Sequence, residues 1–139
     1  MNISQSTDFP YGSDVTFKVN SKKPKQFKLN LLKPSWADDV IVTGNGDTIS
    51  VSSESGPNYV TLERKWKKDD VVNMHIFSKV RVHKIPGNDK VVAFLKGATV
   101  LAFEGNKEVV LKGNPEEIAK DLISIDKSKP VSYTHLRAH

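Results

Sequence analysis

The strongest constraint on this chain is an alternation of apolar and polar residues with a period of two, repeated segment after segment. Val15, Phe17 and Val19 alternate with Thr16 and Lys18, and Phe27, Leu29 and Leu31 with Lys28 and Asn30. Val60 and Leu62 alternate with Thr61 and Glu63, and Val72, Met74 and Ile76 with Asn73 and His75. Successive side chains of a strand point to opposite faces, so each segment is expected to bury one side and wet the other. Turn-forming clusters separate the segments: Tyr11-Gly12-Ser13-Asp14, Lys22-Lys23-Pro24, Gly44-Asn45-Gly46-Asp47, Ser55-Gly56-Pro57-Asn58, Lys67-Lys68-Asp69-Asp70 and Pro86-Gly87-Asn88-Asp89. The sharpest is Asn45-Gly46. Both residues tolerate the positive φ of a type I′ turn, which predicts a hairpin between strands near 39–43 and 48–52. Short strands at this spacing predict an all-β fold, an antiparallel β-sandwich of jelly-roll-like form.

The last third of the chain reads differently. Val91-Val92-Ala93-Phe94-Leu95 has no polar alternation and is expected to be a strand buried on both sides, closed by Gly97 and followed by Val100-Leu101-Ala102-Phe103. Asn114 before Pro115-Glu116-Glu117 is a helix start: a capping side chain, a proline where no N–H is needed, and acids at the positive end of the dipole. Ile118, Leu122 and Ile125 then share one helical stripe. The expected organisation is a sandwich over 1–104, a linker and the start of a following segment with a short helix over 105–130, and a tail over 131–139.

With 139 residues the chain is long enough for one domain, or one domain and the start of another, and can bury a core. No apolar run is long enough to cross a membrane as a helix, and no membrane partner is expected. Cysteine is absent, which removes disulfides, thiolate metal ligands and a cysteine nucleophile from these residues. It does not fix the compartment. The net charge of +5 draws on Lys18, Lys22, Lys23, Lys25, Lys28 and Lys33, and on Arg64, Lys65, Lys67 and Lys68. A polyanion partner would need such residues gathered in a patch. Here they alternate with core positions, which favours a solvated strand face with lysines guarding edges, and no nucleic-acid partner is expected.

No set of residues spells out a reaction, and no catalytic residue, metal ligand or cofactor is expected within these residues. Gly44-Asn45-Gly46 is a hairpin turn and not a phosphate loop, since no helix follows it. His75 falls on the wet face of its strand and His83 near a strand end; a metal site needs further ligands that the spacing does not supply. His135 and His139 stand four apart, but in the tail. Glu54, Glu63 and Asp69 are carboxylates of the kind a glycosidase pair would use, and nothing singles them out. Trp36 and Trp66 each follow a strand, in Lys33-Pro34-Ser35-Trp36 and Arg64-Lys65-Trp66-Lys67. Alternation puts both in register with apolar residues, which favours buried corners. The competing reading is an independent carbohydrate-binding module that stacks sugar rings on exposed aromatics, with Trp36, Trp66, Tyr11 and Tyr59 as the candidate platform.

In order and spacing, several stretches resemble the non-catalytic β-sandwich region of glycoside hydrolase family 127, the β-L-arabinofuranosidase-like proteins. They are Thr7-Asp8-Phe9-Pro10-Tyr11, then Lys25 to Ala37 through Leu31-Leu32-Lys33-Pro34-Ser35-Trp36, then Asn45-Gly46. Tyr59 to Val71, Asn88 to Gly97 and Val100-Leu101-Ala102 follow, and Asn114-Pro115-Glu116-Glu117 resembles the opening of the next segment. The resemblance implies an accessory sandwich and, upstream in the same parent chain, an (α/α)6 barrel with a zinc-bound cysteine and glutamates as acid and base, acting on arabinose-containing glycans of plant type. None of those catalytic positions falls in these residues. The chain departs from the family pattern at Leu32, where an arginine is usual, at Gly97-Ala98, where Gly-Pro is usual, and near Phe77-Ser78, where a proline is common. Val131 to His139 resembles a translated sequencing adaptor, which predicts that residues 1 to about 130 are a piece of a longer protein.

Overall fold

A computed structural model describes residues 1–52, 58–102 and 110–122, with the side chains of 51, 52 and 89 left aside. Glu54, the 55–57 turn, Phe103, Ile125 and the 131–139 tail lie outside the described residues. The chain forms two compact units, Met1–Ser78 and Lys79–His139.

The first unit contains β1 (Asn2–Thr7), β2 (Asp14–Asn20), β3 (Lys25–Lys33), β4 (Asp39–Gly44), β5 (Asp47–Ser52), β6 (Asn58–Trp66) and β7 (Asp70–Phe77). They make a five-stranded sheet in the order β1-β2-β7-β4-β5 and a two-stranded layer, β3-β6. Every pairing is antiparallel. The pairings nest: β3 with β6 lies inside β2 with β7, so the chain passes back and forth between layers as in a jelly roll. The period of two in the sequence becomes the period of two in burial. Along β7, Asp70, Val72, Met74 and Ile76 are buried while Val71, Asn73 and His75 are half exposed. Val19, Val40, Val42, Val72, Met74 and Ile76 from the large sheet meet Leu31, Val60, Leu62 and Trp66 from the small layer in one core. Phe17, Phe27, Leu29 and Trp36 pack against it half buried.

The predicted hairpin is present. Asn45 (φ 53°) and Gly46 (φ 97°) join β4 to β5, both in the left-handed region that a type I′ turn requires. The tip is fastened to its neighbour, because Asn45 N donates to Val71 O at 2.9 Å and Val71 N donates to Asn45 Oδ1 at 3.0 Å. The reading of all the lysines as one solvated set fails at Lys33, which is fully buried. Phe27, Leu29, Leu31 and Lys33 are successive inward positions of β3, so alternation overrides the preference of the ammonium for water.

The second unit contains β8 (Val80–Ile85), β9 (Asn88–Lys96), β10 (Thr99–Leu101) and α1 (Pro115–Asp121). The sheet order is β10-β9-β8. Gly87 (φ 83°) and Gly97 (φ 60°) open the two reversals. The expectation that Val91–Leu95 is buried on both faces is not met: Val91 is 44% exposed and Val92 to Leu95 are half buried. Among the described residues of this unit, the three-stranded sheet and the seven-residue helix against β8 supply no second layer that covers both faces of the central strand. The helix start is as read. Asn114 Oδ1 accepts from Glu116 N at 3.0 Å, Pro115 opens the helix, and Glu117 pairs with Lys120 at 2.9 Å. Ile118 is half buried in the helix and Leu122 caps its end.

Candidate functional site

Antiparallel pairing sends the chain reversals of the first unit alternately to two ends, and the side chains there differ in kind. One end holds the start of β1, the β2–β3 loop, the β4–β5 hairpin and the β6–β7 turn. Lys22, Lys23, Lys25, Lys65, Lys67 and Lys68 are exposed there. The other end holds the β1–β2 loop, the β3–β4 loop, the start of β6 and the end of β7. It carries Phe9, Tyr11, Trp36, Tyr59 and Phe77, with the carboxylates of Asp8, Asp14, Asp38 and Asp39.

At the lysine end the polar groups are committed to the fold. Asp70 is buried; its Oδ2 accepts from Lys67 N at 2.8 Å and its Oδ1 from Asn45 Nδ2 at 3.2 Å, with Arg64 Nη2 at 4.0 Å. The hydrogen bond from the Lys67 backbone, helped by Asn45 and by the positive charge of Arg64, outweighs the cost of burial and holds this carboxyl below its ordinary value. Arg64 also lies over Trp66, 5.2 Å from the ring centre. Gly44 leaves it room, since a Cβ there would stand 3.1 Å from Arg64 Nη1. Trp66 is fully buried, stacks on Phe27 at 5.4 Å and donates from Nε1 to Phe27 O at 3.0 Å. Its indole has no open face. Asp69, in the left-handed conformation at φ 64°, pairs with Lys18 at 3.0 Å.

At the aromatic end the rings are offered outward. Trp36 sits half buried in a turn closed by Ala37 N donating to Pro34 O at 3.1 Å. Phe9 stacks on it with centroids 5.6 Å apart and planes 20° from parallel, yet remains 45% exposed. The loop beneath Phe9 is pinned: Phe9 N donates to Thr7 Oγ1 at 3.1 Å, Thr7 Oγ1 donates to Asp14 O at 2.9 Å, and Tyr11 N donates to Asp8 O at 2.9 Å. Gly12 permits the tightness of this turn, because a Cβ there would collide with the Asp8 carboxylate. Tyr11 is 56% exposed in the same loop. Tyr59 also stands at this end, but on the outer face of the small layer, opposite Leu32 where the family resemblance expects arginine. Of the candidate platform, then, the structure brings Trp36 and Tyr11 to one loop cluster, sets Tyr59 on an adjacent face and seals Trp66 away at the far end. Phe9 was not singled out as a platform ring in the sequence; an aromatic–proline step inside a turn was the available signal.

The remaining candidates do not converge. His75 lies on the outer face of the large sheet, where the Asp14 carboxylate accepts from Nδ1 at 2.6 Å and Phe77 meets the ring edge-on at 4.5 Å. Beside it Thr16 donates to Asn73 Oδ1 at 2.8 Å. His83 is exposed on β8 of the other unit. Glu63 pairs with Lys28 at 3.4 Å and Asp69 with Lys18, at separate places. Among the described residues no three His, Cys, Asp or Glu side chains gather to hold a metal ion, and no helix is long and apolar enough to cross a membrane.

Residues 1–77, which span the first unit, match the family described as β-L-arabinofuranosidase, GH127 middle domain. No curated protein sequence matches the chain. Among solved structures it is similar to a glycoside hydrolase with 26% identity and a TM-score of 0.60, covering 70% of this chain and 17% of that one. It is similar to a GH127 β-L-arabinofuranosidase from Geobacillus stearothermophilus T6 with 26% identity and a TM-score of 0.57, covering 70% and 16%. A GH127 β-arabinofuranosidase gives 27% identity and a TM-score of 0.56, covering 70% and 18%. The chain thus spans less than a fifth of the length of these relatives. The same residues that build the two-layer core are those the family match covers, and the chain belongs to glycoside hydrolase family 127, with that family's middle domain as its first unit.

Proposed function

We propose that the chain is the non-catalytic accessory part of a family 127 glycoside hydrolase of the β-L-arabinofuranosidase type, whose sandwich packs against and stabilises an (α/α)6 catalytic barrel in the same parent chain. The observation that carries this reading is the middle-domain match over a unit in which Asp69, Glu63 and Asp70 are held by Lys18, Lys28 and the Lys67 backbone instead of facing one another. The parent enzyme would act on arabinose-containing glycans of plant type.

The test is to assay the full chain on a nitrophenyl β-L-arabinofuranoside, alone and mixed with the separately produced barrel of a family 127 relative. The expected result is no hydrolysis by the chain alone and a higher melting temperature of the barrel in the mixture. Hydrolysis by the chain alone, or a barrel melting curve indifferent to it, would overturn the proposal.

A further inference from the structure

We propose that the aromatic end of the first unit is a contact surface for a neutral glycan, with Phe9 as the stacking ring, Trp36 as its backing and Tyr11 as its extension. The proposal rests on the family assignment and not on how the sandwich meets a barrel, so it stands or falls separately from the preceding one.

Three observations converge on it. Phe9 is exposed but not loose: one ring face lies on Trp36, which is itself packed against the core, and two side-chain hydrogen bonds through Thr7 hold the loop beneath. A ring fixed in this way loses little freedom when a ligand settles on it. The aromatics are accompanied by exposed carboxylates, with Asp8 in the same loop and Asp38 beside Trp36, while Lys33 at the end of β3 is fully buried. Aromatic faces carry partial negative charge and attract the polarised C–H bonds of a sugar ring, while carboxylates accept strongly from sugar hydroxyls. The exposed lysines of the turns are gathered at the opposite end of the unit. That distribution suits a neutral polyhydroxylated ligand and disfavours an acidic polysaccharide at this surface. A purely apolar protein partner would gain nothing from buried carboxylates here and would lose their hydration.

The experiment is a fluorescence titration of the full chain with arabinopentaose as the neutral probe and trigalacturonate as the acidic one. Trp36 is the reporter, because Trp66 is sealed in the core. A saturable emission change at millimolar arabinopentaose, with none for trigalacturonate, is expected. Phe9→Ala should weaken binding about tenfold, the scale of losing one stacking partner. Phe9→Tyr should restore it, and Tyr11→Ala should weaken it severalfold. Circular dichroism of each variant separates lost binding from lost folding. The proposal is overturned by no emission change with the neutral probe, by equal binding of the acidic one, or by unaltered titrations in folded Phe9→Ala and Tyr11→Ala proteins.

Discussion

The two ends of the first unit are built from the same strands and do opposite things with their polar and aromatic side chains. At the lysine end a carboxylate, a guanidinium and an indole are turned inward: Asp70 accepts from the Lys67 backbone and Asn45, and Arg64 covers Trp66. Lys22, Lys23, Lys25, Lys65, Lys67 and Lys68, of a type cheap to leave in water, face out. At the aromatic end the rings of Phe9 and Tyr11 face out, while Lys33, Ala37, Val40, Val60 and Ile76 are buried and Trp36 is half buried. The contrast teaches that exposure of an aromatic residue here is a local arrangement and not a general looseness of the fold.

Substitutions can break or sharpen this contrast. Trp66→Ala should have the largest effect, a loss of about 3–5 kcal/mol of folding free energy in chemical denaturation, since it removes the largest buried ring and strands Arg64. Asp70→Asn should cost about 1–3 kcal/mol at neutral pH by leaving donors in the β6–β7 turn poorly matched. Its pH signature is specific. Because the folded protein holds Asp70 below its unfolded value near 4, the carboxylate stabilises the fold above about pH 4. That contribution is lost as the pH falls below that point through the folded value. Melting temperature measured against pH should therefore drop less steeply on the acid side in Asp70→Asn than in the parent. Gly46→Ala should cost about 1 kcal/mol, because alanine at φ 97° is strained where glycine is not. Phe9→Ala should be mildest in stability, about 1 kcal/mol or less, from loss of one ring stack at the surface. A Phe9→Ala protein destabilised as much as Trp66→Ala would erase the distinction between the ends.

Much of this was legible from spacing alone. The two-residue period in β2, β3, β6 and β7 fixed which side chains face the core, and Asn45-Gly46 marked the β4–β5 hairpin because few other pairs accept two positive φ values. What escaped were places where residue type and position disagree. Lys33 looks like surface by chemistry and is core by alternation, and alternation prevailed. Val91 to Leu95 looks like core by composition, but the described residues of the second unit form too few layers to bury it. Asp14 reads as a turn residue, yet register sets it against His75 across β2 and β7. Phe9 escaped for a different reason: its stack on Trp36 joins two loops, and contacts between loops leave no periodic trace.

The nested pairing of β2 with β7 and β3 with β6 has a consequence for synthesis. Thr16 bonds to Asn73, 57 residues later, and the edge of β2 away from β1 has no strand to pair with until β7 has been made. Emerging from a ribosome, β2 and β3 must wait with apolar rows uncovered while most of the unit is still being translated. Closure over such long loops is slow compared with hairpin formation. The β1–β2 and β4–β5 hairpins are local and can form as they emerge, and the arrival of β7 joins them into one sheet.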